Sequence, residues 1–82
     1  MKPITHNSYI QSINRASHYI ATHLDETIDV KTLAGVANLS GFHFCRIFKA
    51  IKGEPPIAFI ARIRIETAAQ LLRYSSLTVE EI

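Results

Sequence analysis

Phe42, Cys45, Arg46 and Lys49 are spaced three, one and three residues apart within NLSGFHFCRIFKAIK, residues 38–52. At about 100° per residue they gather on one side of a helix, while Phe44, Ile47, Phe48 and Ile51 gather on the other. The second set is a core face. The first set combines a ring, a thiol, a guanidinium and an ammonium, and that mixture suits a nucleic acid. An arginine can donate two hydrogen bonds to guanine O6 and N7, and an aromatic or thiol edge can pack on a thymine methyl. Lys49 and Lys52, nearer the helix end, are placed for phosphate oxygens, which position a protein without reading sequence. The competing assignment folds Phe42 inward as core.

Such a face needs elements to hold it. Ile10, Ile13, Ala16, Ile20 and Leu24 form one apolar stripe at helical spacing, predicting a helix from Ser8 to Leu24 with Asn7 or Ser8 as its cap. LDETID, residues 24–29, is a turn. Asp29 then caps a short helix over residues 30–37, and Ile28 with Leu33 has the spacing of a hydrophobic staple. Asn38 is suited to the left-handed conformation that ends a helix, and Ser40 caps the next one, with Leu39 and Phe44 repeating the staple. That helix runs to about Lys52, where Gly53 is a suitable stop. After Glu54-Pro55-Pro56 comes a long helix from Ile57 to about Tyr74, with proline at its opening, where the missing N–H costs nothing.

The two short helices meet the packing needs of a helix-turn-helix. Small Ala34 sits where the helices approach closely, and Asn38 stands at a turn position usually met by glycine. In that motif the second helix enters the DNA major groove. At the chain end, LTVEEI (77–82) repeats the order of IDVKTL (28–33), namely apolar, cap, valine, charged, polar or charged, apolar. It resembles the opening of a second copy of the same unit.

The totals agree with a single small all-α domain. The chain has 82 residues, 48% of them hydrophobic, enough for one modest core. Its single cysteine, Cys45, excludes an intramolecular disulfide and suits a reducing compartment. No run approaches the roughly 18 apolar residues of a membrane span, and the N-terminus lacks a signal-peptide pattern, so a cytoplasmic location is expected. The formal net charge is only +2, but Arg46, Lys49, Lys52, Arg62 and Arg64 face Glu54 alone between residues 40 and 64. A basic segment in a near-neutral chain points to a polyanionic partner, with a merely solvated basic face as the plain alternative. His6, His18, His23 and His43 have no ligand spacing with one another or with Cys45, so no metal site is expected. No nucleophile, base and orienting group stand together, and there is no phosphate loop, which makes an enzyme a poor reading.

From residue 28 onward the chain resembles the AraC/XylS family of transcription regulators. The residues that carry the likeness are Ala34, Ser40, Arg46-Ile47-Phe48-Lys49, Gly53 with Pro56, Arg64 with Ala68, Leu71 and Leu72, and then LTVEEI. Cys45 departs from the family pattern, where a longer polar side chain is common. The resemblance implies a homeodomain-like helical fold with two helix-turn-helix units joined by a rigid helix. The chain is then expected to divide into an N-terminal helix packing on the domain (1–27), which the resemblance does not cover, the first helix-turn-helix (28–53), the connecting helix (54–75) and the truncated start of a second unit (76–82).

By position, base contacts are expected from Phe42, Cys45 and Arg46, and backbone contacts from Lys49, Lys52 and His43. Ala34, Asn38, Ser40, Gly53 and Arg64 are expected to be structural, with Arg64 paired to a carboxylate inside the domain. The partner is double-stranded DNA, with no cofactor. An effector-binding region, where there is one, is expected C-terminal to the second unit. The long helix is apolar around most of its circumference, which predicts self-association through it. Two rival readings use the same residues differently, as a helical protein-interaction module built on the Phe42 face and the long helix, or as an amphipathic membrane-surface segment. The long helix lacks the sharply cationic polar face that would favour the second.

Overall fold

The computed structural model of the protein describes residues 6–74, which form four helices: α1 (His6–Thr22), α2 (Val30–Ala37), α3 (Gly41–Lys52) and α4 (Pro56–Tyr74). No strand occurs among the described residues. The expected opening of a second unit at 76–82 lies outside them.

Capping sets the boundaries of α2 and α3. The Asp29 carboxylate accepts the Thr32 N–H at 2.7 Å, and the Ser40 hydroxyl accepts the His43 N–H at 3.2 Å. Each cap satisfies a helix N–H that has no carbonyl partner within its own helix. Hydrogen bonding to Thr32 holds the Asp29 carboxyl below its ordinary value of 3.8. At the end of α2, Asn38 adopts φ 61° and ψ 42°, and the Leu39 N–H reaches back to the Ala34 carbonyl at 2.9 Å while the Asn38 N–H meets that of Gly35 at 3.1 Å. This paired closure turns the chain sharply while satisfying two terminal carbonyls. Gly53 ends α3 with φ 83°, a conformation in which a side chain would be strained.

α1 differs from its expected span. It is already helical at His6, so Asn7 and Ser8 lie in its first turn, and it stops at Thr22, two residues before Leu24. The early stop has a local cause: the Thr22 hydroxyl takes up the His18 and Tyr19 carbonyls, and the His23 N–H bonds three residues back to Ile20. α4 begins at Pro56, one residue earlier than expected.

The core is assembled from all four helices. Ile13, Ala16 and Ile20 of α1 meet Leu33, Ala34 and Ala37 of α2, Phe44 and Phe48 of α3, and Phe59 and Ile60 of α4, with Ile28 closing the α1–α2 loop. Phe48 links α3 to α4: its ring meets Phe59 edge to face at 5.2 Å and lies 5.5 Å from Phe44 of its own helix. Burying a phenylalanine contributes roughly 1.5–3 kcal/mol, and paired rings add about another 0.5–1.5 kcal/mol.

Only the first part of α4 joins this core. Ile63 is half-buried, whereas Ile65, Leu71 and Leu72 are 70%, 63% and 53% exposed. Among the described residues Arg64 has no carboxylate partner of the kind expected. Its Nη2 donates to the backbone carbonyl of Glu26 at 2.6 Å. Arg64 is itself exposed and lies against the irregular segment after α1, whose carbonyls lack helical partners, so no buried charge requires a counter-ion there.

Candidate nucleic-acid interface

Three residues separate α2 from α3, and the Asn38 closure followed by the Ser40 cap fixes the angle between them. Phe44 and Phe48 are fully buried, and Ile47 and Ile51 pack partly against the core. The inward face of α3 is thereby settled, and with it the outward one.

On the outward face Phe42 is 76% exposed, which overturns the alternative of an inward-folded ring. The Arg46 guanidinium lies 5.8 Å from the Phe42 ring centroid, one helical turn away. At this separation the cation is attracted to the ring face, which narrows the positions open to a long side chain. Lys49 is exposed in the last turn, where a cation also complements the helix dipole. Cys45 is divided between the two faces, half-buried with its side chain packed against the core edge.

Two of the residues expected at phosphates are drawn elsewhere. The His43 ring stands against Tyr9 of α1, with the Tyr9 hydroxyl 3.3 Å from His43 Nε2 and the rings edge to face at 5.4 Å. The Lys52 ammonium lies over the Phe59 ring at 5.7 Å. Phe42, Arg46 and Lys49 remain exposed.

The basic segment is also smaller than its sequence suggests. Arg62 donates to Glu54 at 2.6 and 2.8 Å and to Glu66 at 2.8 Å while covering the Phe59 ring at 5.2 Å. Hydrogen bonds to Glu54 first, then to Glu66, raise its pKa further. The Glu66 partner was legible from its i,i+4 spacing. Tyr9 had no such signal, because it meets His43 across 34 residues. Arg15 carries no local signal for the same reason: its guanidinium donates to the Val36 and Ala37 carbonyls at the end of α2, at 3.3 and 3.5 Å. Among the described residues no group of histidines, cysteines and carboxylates could hold a metal ion, and no helix is long and apolar enough to cross a membrane.

Short capped helices, a tight turn between them and an exposed aromatic–cationic face on the second define a helix-turn-helix DNA-binding domain. A family model described as "Helix-turn-helix domain" matches residues 33–82. The chain is 39% identical over 64 residues to the MmsAB operon regulatory protein of Pseudomonas aeruginosa, covering 78% of this chain and 21% of that protein. It is 34% identical over 71 residues to the transcriptional activator Btr of Bacillus subtilis, covering 87% of this chain and 13% of that protein. With the RCS-specific transcriptional activator RclR of Escherichia coli it shares 32% identity over 50 residues, 61% of this chain and 18% of that one. The chain thus spans 21% or less of the length of these relatives. No solved structure matches it significantly. The chain belongs to the AraC/XylS family of helix-turn-helix transcription regulators.

Proposed function

We propose that this chain reads DNA sequence by placing α3 in the major groove, as the DNA-binding part of a cytoplasmic transcription activator. The observation that carries the reading is the division of α3: Phe44 and Phe48 are sealed in the core, while Phe42 and Arg46 stand paired on the opposite, exposed face. Arg46 donates to guanine O6 and N7, Phe42 packs on a neighbouring pyrimidine methyl with the Cys45 edge beside it, and Lys49 meets a phosphate. Lys52 and His43 contribute less to the backbone contacts than their positions in the sequence imply, because Phe59 and Tyr9 engage them.

The test is selection from a random duplex pool at low salt, followed by binding of Arg46→Ala to the selected site and to unrelated duplex. A loss confined to the selected site supports base reading by Arg46, and equal losses on both sequences refute it. A second role is favoured by the apolar side chains that α4 leaves exposed. Ile65 and Leu72, seven residues apart, share one face and offer a surface for a second copy of the chain.

A further inference from the structure

α1 touches both sides of the helix-turn-helix turn with polar groups. Arg15 donates to the Val36 and Ala37 carbonyls, the last two of α2. Tyr9 meets His43 in the first turn of α3, both through its hydroxyl and ring edge to ring face. The core residues of α1, Ile13, Ala16 and Ile20, make the rest of its contact apolar. Apolar contact is non-directional and tolerates small rotations of one helix against another. A hydrogen bond weakens steeply with angle and distance, so it resists them.

His43 directly follows Phe42 and lies three residues before Arg46, so whatever holds its ring also holds the roll of α3 about its own axis. A roll of about 10° moves atoms at the roughly 6 Å radius of the side-chain shell by about 1 Å. A shift of that size takes a two-bond contact with a guanine edge out of hydrogen-bonding range. Phosphate contacts through flexible lysines absorb the same shift.

We infer that Tyr9 is a positioning residue for the DNA interface: acting through His43, it sets the roll of α3 and so determines how well the chain discriminates between sequences. The inference rests on the reading of α3 given above. It also gives the first helix a part in specificity without any contact to DNA.

The test compares the chain with its Tyr9→Leu and Tyr9→Phe variants, measuring affinity for the selected duplex and for unrelated duplex at one salt concentration. Tyr9→Leu keeps an apolar side chain at a half-buried position and removes both contacts with His43. Its affinity for the selected site is expected to fall about tenfold, the scale of one well-formed base contact, while affinity for unrelated duplex stays within about twofold. Tyr9→Phe, which keeps the ring contact, falls between the two. Without DNA, the nitrogen resonances of the His43 ring are expected to shift in Tyr9→Phe.

An unchanged discrimination ratio in Tyr9→Leu overturns the inference, as does an equal loss on both duplexes accompanied by a lowered melting temperature. Unshifted His43 nitrogens overturn the contact itself. A wild-type chain that selects no site at all overturns the α3 reading and the inference with it, a result distinguishable because the His43 shift is measured without DNA.

Discussion

Arg64 and Glu26 are 38 residues apart in the chain, yet the Arg64 guanidinium donates to the Glu26 carbonyl at 2.6 Å. This bond fastens the middle of α4 to the segment between α1 and α2. A cation bound to a main-chain carbonyl depends on the path of that segment and not on which side chains it carries.

Arg64→Ala is therefore expected to lower stability by about 0.5–1 kcal/mol, the range of one partly solvated hydrogen bond, with faster amide exchange around residue 26. Denaturant unfolding and hydrogen exchange check this. Affinity for DNA should change little. A loss of DNA affinity at unchanged stability would reassign Arg64 to the interface.

Phe42 and Arg46 should behave as one unit. Arg46→Ala is expected to cost about 1–3 kcal/mol on the selected duplex, and Phe42→Ala to cost part of the same energy, because it frees the guanidinium it had confined. In a double-mutant cycle the combined loss should fall short of the sum. Strict additivity would show that the 5.8 Å contact has no role in binding.

The salt dependence of binding should separate free cations from engaged ones. Lys49→Ala is expected to reduce the slope of log K against log salt by about 0.9, one phosphate's worth, whereas Arg62→Ala leaves it nearly unchanged. Arg62 is already shared between Glu54 and Glu66. Titrations at several salt concentrations on unrelated duplex are sufficient.

The two caps differ in their response to acid. The Asp29 carboxyl is depressed in the folded chain, so its contribution is fully present above the unfolded value near 3.8 and disappears as pH falls through the lower folded value. Asp29→Asn keeps a capping oxygen without the charge, so it should be slightly less stable than the parent at neutral pH and show a weaker fall in stability below about pH 4. Ser40→Ala is expected to cost about 1 kcal/mol at any pH. Thermal melts across the acid range distinguish these behaviours.

Self-association should follow the exposed row on α4. Sedimentation is expected to show mass rising with concentration for the parent chain and to stay monomeric for a variant carrying Ile65→Lys and Leu72→Lys. Neither residue belongs to the core. A parent chain that is monomeric at every concentration would remove this role.

Much of this arrangement was legible in the sequence because its causes are local. Asp29, Asn38, Ser40 and Gly53 announce helix ends through groups within a few residues of themselves, and the spacing of Phe44, Phe48 and Phe42 divides α3 into its two faces. The misses are non-local or concern competition for a side chain. Nothing near Tyr9 marks His43 as its neighbour, and nothing near Arg64 indicates a main-chain partner in place of a carboxylate. Lys52 shows competition most plainly: its position on α3 suggests a phosphate, but the Phe59 ring is beside it in the fold. The end of α1 is not legible in the apolar stripe, because the Thr22 and His23 side chains close the helix before the stripe runs out.

α4 is gripped near its start by Phe59 and Ile60 and again at Arg64, and beyond that its side chains are mostly exposed. A helix held at one end behaves as a shaft. Each residue added or removed between Ile65 and Leu71 would turn the last turn of α4 by about 100° and shift it by about 1.5 Å, leaving α3 undisturbed. The number of residues in that exposed stretch is therefore an angular setting: it fixes the compass bearing, relative to the Phe42–Arg46 face, of the last turn of α4.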